Sequence, residues 1–329
     1  MNFLEEHRLE IFKKYSDEEL IKDVDSYKNS TGRLSKVLNH FFKECIFDCK
    51  SNRYNFTPNE LLSNDELLND VFDYIKTKPS FYTGNDVQNI EKYLWNGTKY
   101  ARRVSNFDPK QARDIYFKYF PNALIERGME RLNILDTSSG FGSRMSAVLL
   151  NGHNYFGFDP NKELHDKLME CAKWYNKNGF IDKEQKCRLY CKGSEIFLEQ
   201  LENTIDVSFT SPPYFNLEQY SKDKSASTTN YNDYNKWLNE FVKPTIENTY
   251  RYLKVDGYAM INIKNLTRGH NEKLFDDWYN IFNDNDGFEF VEIFDMSLNC
   301  KRSFTQNCNY NIEDYHGAKE PVMCFRKAY

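Results

Sequence analysis

The 329-residue sequence has no apolar run approaching the roughly 20 residues needed to cross a bilayer, which excludes a protein that spans a membrane by helices. Its opening, MNFLEEHRLEIFKKY, is charged every few positions and lacks the apolar stretch and small-residue cleavage site of a secretory signal. A reducing, cytoplasmic location is therefore expected. Cysteine is scarce, and eight scattered residues do not make a disulfide scaffold. Cys45 with Cys49 and Cys187 with Cys191 share a spacing, but neither pair forms a CxxC knuckle or has a histidine at ligand spacing. They read as buried thiols, and no metal is expected. A basic excess is also missing. Lys and Arg number 44 against 49 Asp and Glu, a net charge of −5. That excludes coating nucleic acid by bulk attraction and leaves room for a local basic face.

What is present is an ordinary globular composition, 40% hydrophobic and 28% charged, with 23 Tyr and 26 Phe. The aromatics fit an AT-rich coding sequence as readily as a binding surface. Residues 1–85 read as a helical domain or cap. Ser16 with Glu19, and Thr57 with Pro58 and Glu60, have capping-box spacing. Leu61, Leu62, Leu67, Leu68, Val71, Phe72 and Ile75 then recur at helical spacing, with Ser63 as the expected cap.

After the turn-rich KTKPSFYTGND, strands and helices alternate through residues 86–329. Strands are expected at 133–138, 155–159, 187–192, 206–211, 257–263, 288–298 and 322–327. This pattern predicts an α/β domain with a parallel sheet covered on both faces, its ligands at the carboxyl ends of the strands. The last two strands are expected to form an antiparallel hairpin at one edge, joined by loop 299–321.

Three segments carry chemistry. ILDTSSGFGSRM runs from a strand through a glycine turn into a helix, where Gly140 and Gly142 either let backbone N–H groups approach a ligand or merely relieve crowding. Met145 occupies the third glycine position of the dinucleotide fingerprint, which counts against a nicotinamide or flavin. Asp159 ends the next strand about 20 residues on, placed to accept two ribose hydroxyls or to cap the following helix. In DVSFTSPPYFN a β-prone run stops at Pro212-Pro213, and acceptors at Ser211 beside the Tyr214 ring suit a planar heterocycle bearing an exocyclic amine. The competing reading is a Pro-rich turn packed by a tyrosine.

These pieces, in this order, resemble the S-adenosylmethionine-dependent amino-methyltransferases of DNA, the N6-adenine and N4-cytosine group. Their marks are a DxxxGxG-like cofactor loop, here Asp136, Gly140 and Gly142, and a [D/N/S]PPY motif, here Ser211, Pro212, Pro213 and Tyr214. The resemblance covers about residues 95–329. It implies a seven-stranded Rossmann-like class I methyltransferase sheet and S-adenosyl-L-methionine as cofactor. Asn106, Phe107, Asp136, Ser138, Gly140, Gly142, Asp159, Ser194 and Glu195 would bind that cofactor, with Gly193 to Glu195 where the family holds the adenine ring. Ser211 to Tyr214 would form the catalytic pocket, with Tyr214 and Phe215 stacking on a flipped base. Lys99, Arg102 and Arg103 belong to a stretch in which Lys92, Lys110, Arg113 and Lys118 add further cations. It either contacts phosphate or forms a solvated helix face. Lys301 and Arg302 are a second candidate.

The serine that opens the motif leans toward cytosine, while the cofactor-first order leans toward adenine, so the target base stays open. There is no room for a large recognition domain after the motif. The N-terminal helices, the insertion 216–235 or loop 299–321 would have to read any sequence. A Pro-Cys motif is absent, which excludes cysteine nucleophilic catalysis of the C5-cytosine kind. Two alternatives keep the motifs: an RNA base amino-methyltransferase, and a non-catalytic subunit of the same fold. Recognition sequence, oligomeric state and any partner nuclease are not encoded legibly.

Overall fold

The computed structural model describes residues 3–97, 99–117, 128, 130–215, 218–219, 231, 233–265, 272–296 and 320–329. The chain forms two compact units. One comprises Met1–Asn106 with Phe215–Ala226, and the other Phe107–Tyr214 with Ser227–Tyr329.

The first unit holds α1 (Phe3–Ile11), α2 (Asp17–Lys28), α3 (Ser35–Phe47), α4 (Pro58–Leu62), α5 (Asp65–Lys76) and α6 (Asp86–Asn96). Capping boxes open α2 at Ser16 with Glu19 and α4 at Thr57 with Glu60, each satisfying two otherwise orphaned N–H groups. The expected cap at Ser63 is corrected: Asn64 caps α5, its side chain accepting from the Leu67 N–H at 3.1 Å, while Ser63 closes α4. The two elements are too close for one residue to serve both helices. The unit also runs past the expected boundary at 85. Helix α6 buries Val87, Ile90, Tyr93 and Leu94 and packs on α1 and α5, so it belongs with the helices before it. A two-residue strand, β1 (Lys50–Ser51), pairs antiparallel with β6 (Glu218–Gln219) and draws the segment after the SPPY motif into this unit.

In the second unit, β2 (Asn133–Asp136), β3 (Asn154–Phe158), β4 (Cys187–Tyr190), β5 (Ile205–Thr210), β7 (Leu253–Asn262), β8 (Phe288–Asp295) and β9 (Pro321–Lys327) form a seven-stranded sheet. Their order is β4-β3-β2-β5-β7-β9-β8. The first five strands run parallel and β9 runs antiparallel to both its neighbours. The expected edge hairpin is present, with β9 slotted between β7 and β8. That placement suits its Val322 to Phe325 run, buried on both faces. This is a Rossmann-like seven-stranded arrangement, as the resemblance implied.

Helices α7 (Ser143–Leu149), α8 (Lys162–Lys177), α9 (Tyr234–Trp237), α10 (Lys243–Tyr252) and α11 (Leu274–Asn283) accompany the sheet. Ile134, Leu135, Ile205, Val207 and Phe209 are fully buried on the central strands, each large side chain contributing roughly 1.5–3 kcal/mol. Between α9 and α10 a π-helical turn, Leu238–Val242, precedes Pro244. The proline has no N–H for the preceding turn, and the widened turn absorbs the mismatch. Of the cysteines, Cys45, Cys49, Cys171 and Cys324 are buried as expected, Cys187 is half-buried, and Cys191 is exposed. Cys191 follows β4, which lies at the edge of the sheet and, among the described residues, pairs with β3 alone.

Candidate active site

Strand order fixes where the motifs meet. From β2 the chain steps outward through β3 and β4, then returns to lay β5 against the other side of β2. The crevice beyond the carboxyl ends of β2 and β5 is thus the topological switch point, where open α/β sheets bind ligands. The glycine turn leaves β2 and Ser211–Tyr214 leaves β5, so the register Ile134↔Val207 and Leu135↔Ser208 brings the two segments to one crevice.

Gly140 has φ 56° and Gly142 φ 73°, left-handed conformations that a side chain would strain. A Cβ placed on Gly140 would meet only the Ser138 carbonyl, at 3.8 Å, so the space before it is open. Asp159, at the tip of β3, accepts from the Gly140 N–H at 3.2 Å and the Asn161 N–H at 3.0 Å. Burial pushes its carboxyl up to about 7, against the opposing pull of these two N–H donors. It therefore joins the glycine turn to the next strand end.

Asp136, expected to touch cofactor, is committed elsewhere. It is wholly buried and accepts from Arg144 Nε at 2.9 Å and Nη2 at 3.2 Å, Tyr155 Oη at 2.9 Å, Thr210 Oγ1 at 3.1 Å and the Ser138 N–H at 3.2 Å. Arg144 also donates to the Ser138 carbonyl. This network ties β2, β3 and β5 to the glycine turn, so Asp136 positions the loop from beneath. Phe107 lies with its ring 5.4 Å from the Arg144 guanidinium and edge-on to Phe209 at 5.6 Å. Asn106 ends the first segment of the helical unit.

Beyond β4, Ser194 is buried, its hydroxyl 2.9 Å from Thr245 Oγ1 and its carbonyl accepting from Asn248 Nδ2 at 2.9 Å. Helix α10 thus clamps it, and the side chain expected to bind cofactor serves the scaffold. Glu195 differs. Its Oε2 is buried with no hydrogen-bond partner among the described residues, and burial raises its carboxyl while Tyr231 lowers it. A buried acceptor without a donor costs free energy until a ligand supplies one. Thr137 Oγ1, beside the glycine turn, is orphaned in the same way. These two atoms, with Asp159 and the open turn, fit a ligand with several N–H and O–H donors, as S-adenosylmethionine has.

At the end of β5, Ser211, Pro213 and Tyr214 are half-buried and Pro212 is buried. Phe215 is buried with φ 43°, an uncommon value for a bulky residue, and there the chain passes into the helical unit.

The basic stretch is divided between the two units. Lys99, Arg102 and Arg103 fall in the helical unit, Lys110 and Arg113 in the sheet unit. Arg113 is 7% exposed, too buried for a phosphate contact. Lys118, Lys301, Arg302 and most of the insertion 216–235 lie outside the described residues. Sequence reasoning missed Arg144, Tyr155 and Thr210. Their only signal was a polar side chain at a strand or helix position that otherwise reads as core.

Residues 205–329 match the family of N6/N4 DNA methylases, described as DNA methylase. Over this part of the chain, the resemblance to the amino-methyltransferases therefore holds. Among solved structures, the chain is similar to an S-adenosylmethionine-dependent methyltransferase from Clostridium acetobutylicum, with 12% identity, 68% of this chain and 94% of that one covered, and a TM-score of 0.43. A TehB-like methyltransferase from Corynebacterium glutamicum shares 15% identity over 68% of this chain and 100% of that one, with a TM-score of 0.38. No curated protein matches. The family match supports a methyltransferase. No described helix is long and apolar enough to cross a membrane.

Proposed function

We propose that this chain transfers a methyl group from S-adenosylmethionine to the exocyclic amine of adenine or cytosine in DNA, the base entering the SPPY pocket unpaired, either from a single strand or flipped out of a duplex. The carrying observation is the placement of Ser211–Tyr214 at the end of β5, directly across the switch point from the glycine turn of β2. When bound, the cofactor supplies an electrophilic methyl on a sulfonium. Asp159 would accept the ribose hydroxyls, Glu195 Oε2 the adenine amine, and the backbone around Gly140 and Gly142 the methionine end, near Phe107.

An exocyclic amine is a poor nucleophile because its lone pair is delocalised into the ring. Ser211 Oγ and the Pro212 carbonyl accept its two N–H groups and hold the nitrogen as it pyramidalises, so positioning and electrostatics supply most of the acceleration. No strong general base is needed, since the methylated nitrogen is acidic enough to give its proton to water. Tyr214 stacks on the extruded base, which cannot reach the pocket from within a duplex.

Mass spectrometry of nucleosides after incubation with cofactor and DNA or RNA tests this reading. N6-methyladenosine or N4-methylcytidine in the deoxy series is expected. Methylation of RNA alone would replace the substrate, and absence of cofactor binding by calorimetry would overturn the enzyme.

A further inference from the structure

Trp95 is 56% exposed and Phe81 43% exposed, both in the helical unit, whereas Trp174, Trp237 and Trp278 are buried. Each of the two exposed rings carries a cation. Arg103 Cζ lies 4.0 Å from the Trp95 ring centroid, and Lys92 Nζ lies 3.9 Å from that of Phe81 while donating to the Phe81 carbonyl. Lys92 and Trp95 are three residues apart on α6 and so project from one face. The Arg103 N–H donates to the Leu94 carbonyl at 3.0 Å, pinning the returning chain beside that face. Arg102 folds against Gly97 and is exposed. Lys78 Nζ sits 4.6 Å over the Tyr74 ring, and Lys99 Nζ 4.5 Å over that of Tyr100. Asp70 lies 3.7 Å from Lys99 Nζ, and Glu91 is engaged with Lys43.

The geometry points to this face of α6 and its returning chain, with Trp95 and Phe81 as stacking platforms and Lys92, Arg102 and Arg103 as phosphate contacts, as the track for an unpaired nucleotide strand. Rings interleaved with cations suit single-stranded nucleic acid: bases stack on the rings, the backbone follows the cations, and Arg adds stacking of its own. A duplex hides its base faces, and an apolar protein partner gains nothing from the cations. Partial burial depresses the Arg103 guanidinium to about 10, so it stays charged at neutral pH. The inference rests on the nucleic-acid reading of the active site.

Trp95 is the exposed tryptophan, so its emission reports the contact directly. Titrating the full-length protein with single-stranded DNA, single-stranded RNA and duplex oligonucleotides should quench emission with the single strands and much less with the duplex. The Phe81→Ala/Trp95→Ala double variant should bind single strands roughly tenfold more weakly or worse. Its cofactor affinity should stay at the wild-type value and its melting temperature close to it, because neither ring is buried in the core. Unchanged single-strand affinity in the double variant would overturn the track and leave the functional reading standing. A wild-type protein that binds cofactor but no nucleic acid would instead sink both. DNA against RNA in the single-strand arms identifies the source of the strand.

Discussion

In the helical unit, Lys22 and Glu18 meet at 2.6 Å with side chains 72% and 77% exposed; in the sheet unit, Arg144 and Asp136 meet at 2.9 Å at 5% and 0%. The contacts are alike in chemistry and differ in consequence. Water solvates the first pair whether or not it forms, so it decorates a helix. The second pair has no solvent to fall back on, and each member must find all its partners in the protein. Arg144 and Asp136 accordingly fix three strands and a turn, whereas the helical unit obtains its local order from caps and apolar faces. Charge buys geometry only where it is buried.

The largest effect expected from this contrast follows Arg144→Ala. Removing one partner leaves Asp136 buried and uncompensated, at a cost of about 3–5 kcal/mol in urea denaturation. Cofactor affinity should fall with it as the turn loses its tie to the Ser138 carbonyl. Lys22→Ala should leave the denaturation midpoint unmoved. Equal losses in the two variants would break the comparison.

Next is Tyr214→Ala, which sharpens it on the functional side. If the ring stacks on the base, methyl transfer falls roughly 5- to 100-fold with cofactor binding retained, and Tyr214→Phe is much milder. If the ring only packs the Pro-rich turn, the alanine variant loses about 3 kcal/mol of stability instead.

Asp159 gives a smaller, pH-dependent effect. Its carboxyl, pushed up to about 7, is protonated in mildly acidic solution and then a poorer acceptor for ribose hydroxyls. Cofactor affinity should rise by up to about tenfold per pH unit below 7 and level off above about 8. Asp159→Asn should flatten that profile. The same raised value means that its contribution to stability is fully present below its unfolded pKa of about 3.9 and is lost as pH rises through 7. A cofactor affinity independent of pH between 6 and 8 would remove Asp159 from the ribose site.

The smallest expected effect is in the helical unit. Thr57→Ala should cost about 1 kcal/mol, since the buried threonine caps only α4. Thermal denaturation measures it.

Much of the fold was legible because its signals are local. Capping boxes at Ser16 and Thr57 depend on residues three apart, and the seven strands announced themselves as short β-prone runs between helical stretches. The division of the chain was less legible. Helix α6 looks like any other amphipathic helix, and nothing within it says which neighbours will bury Val87 and Ile90. The site was legible in part. The glycine turn, Asp159 and Ser211–Tyr214 stand out by residue type and spacing, and all reach the switch point or its margins. Asp136 and Ser194 also stood out, yet the structure turns both side chains inward. The signal in a short polar residue is the same whether its partner is a ligand or Thr245.

The sequence by itself determined the helix starts at Ser16 and Thr57, the strands, the two motifs and the family they resemble, since each depends on residues close in the chain and on backbone chemistry that travels with them. Only the tertiary structure decided that β5 returns beside β2, and that Arg144, Tyr155 and Thr210 converge on Asp136. It alone decided that the basic stretch splits between two units, and that Trp95 and Phe81 stay exposed under their cations. Each of these depends on which distant segments share a layer, and burial sets that by competition across the whole chain, at separations where spacing carries no information.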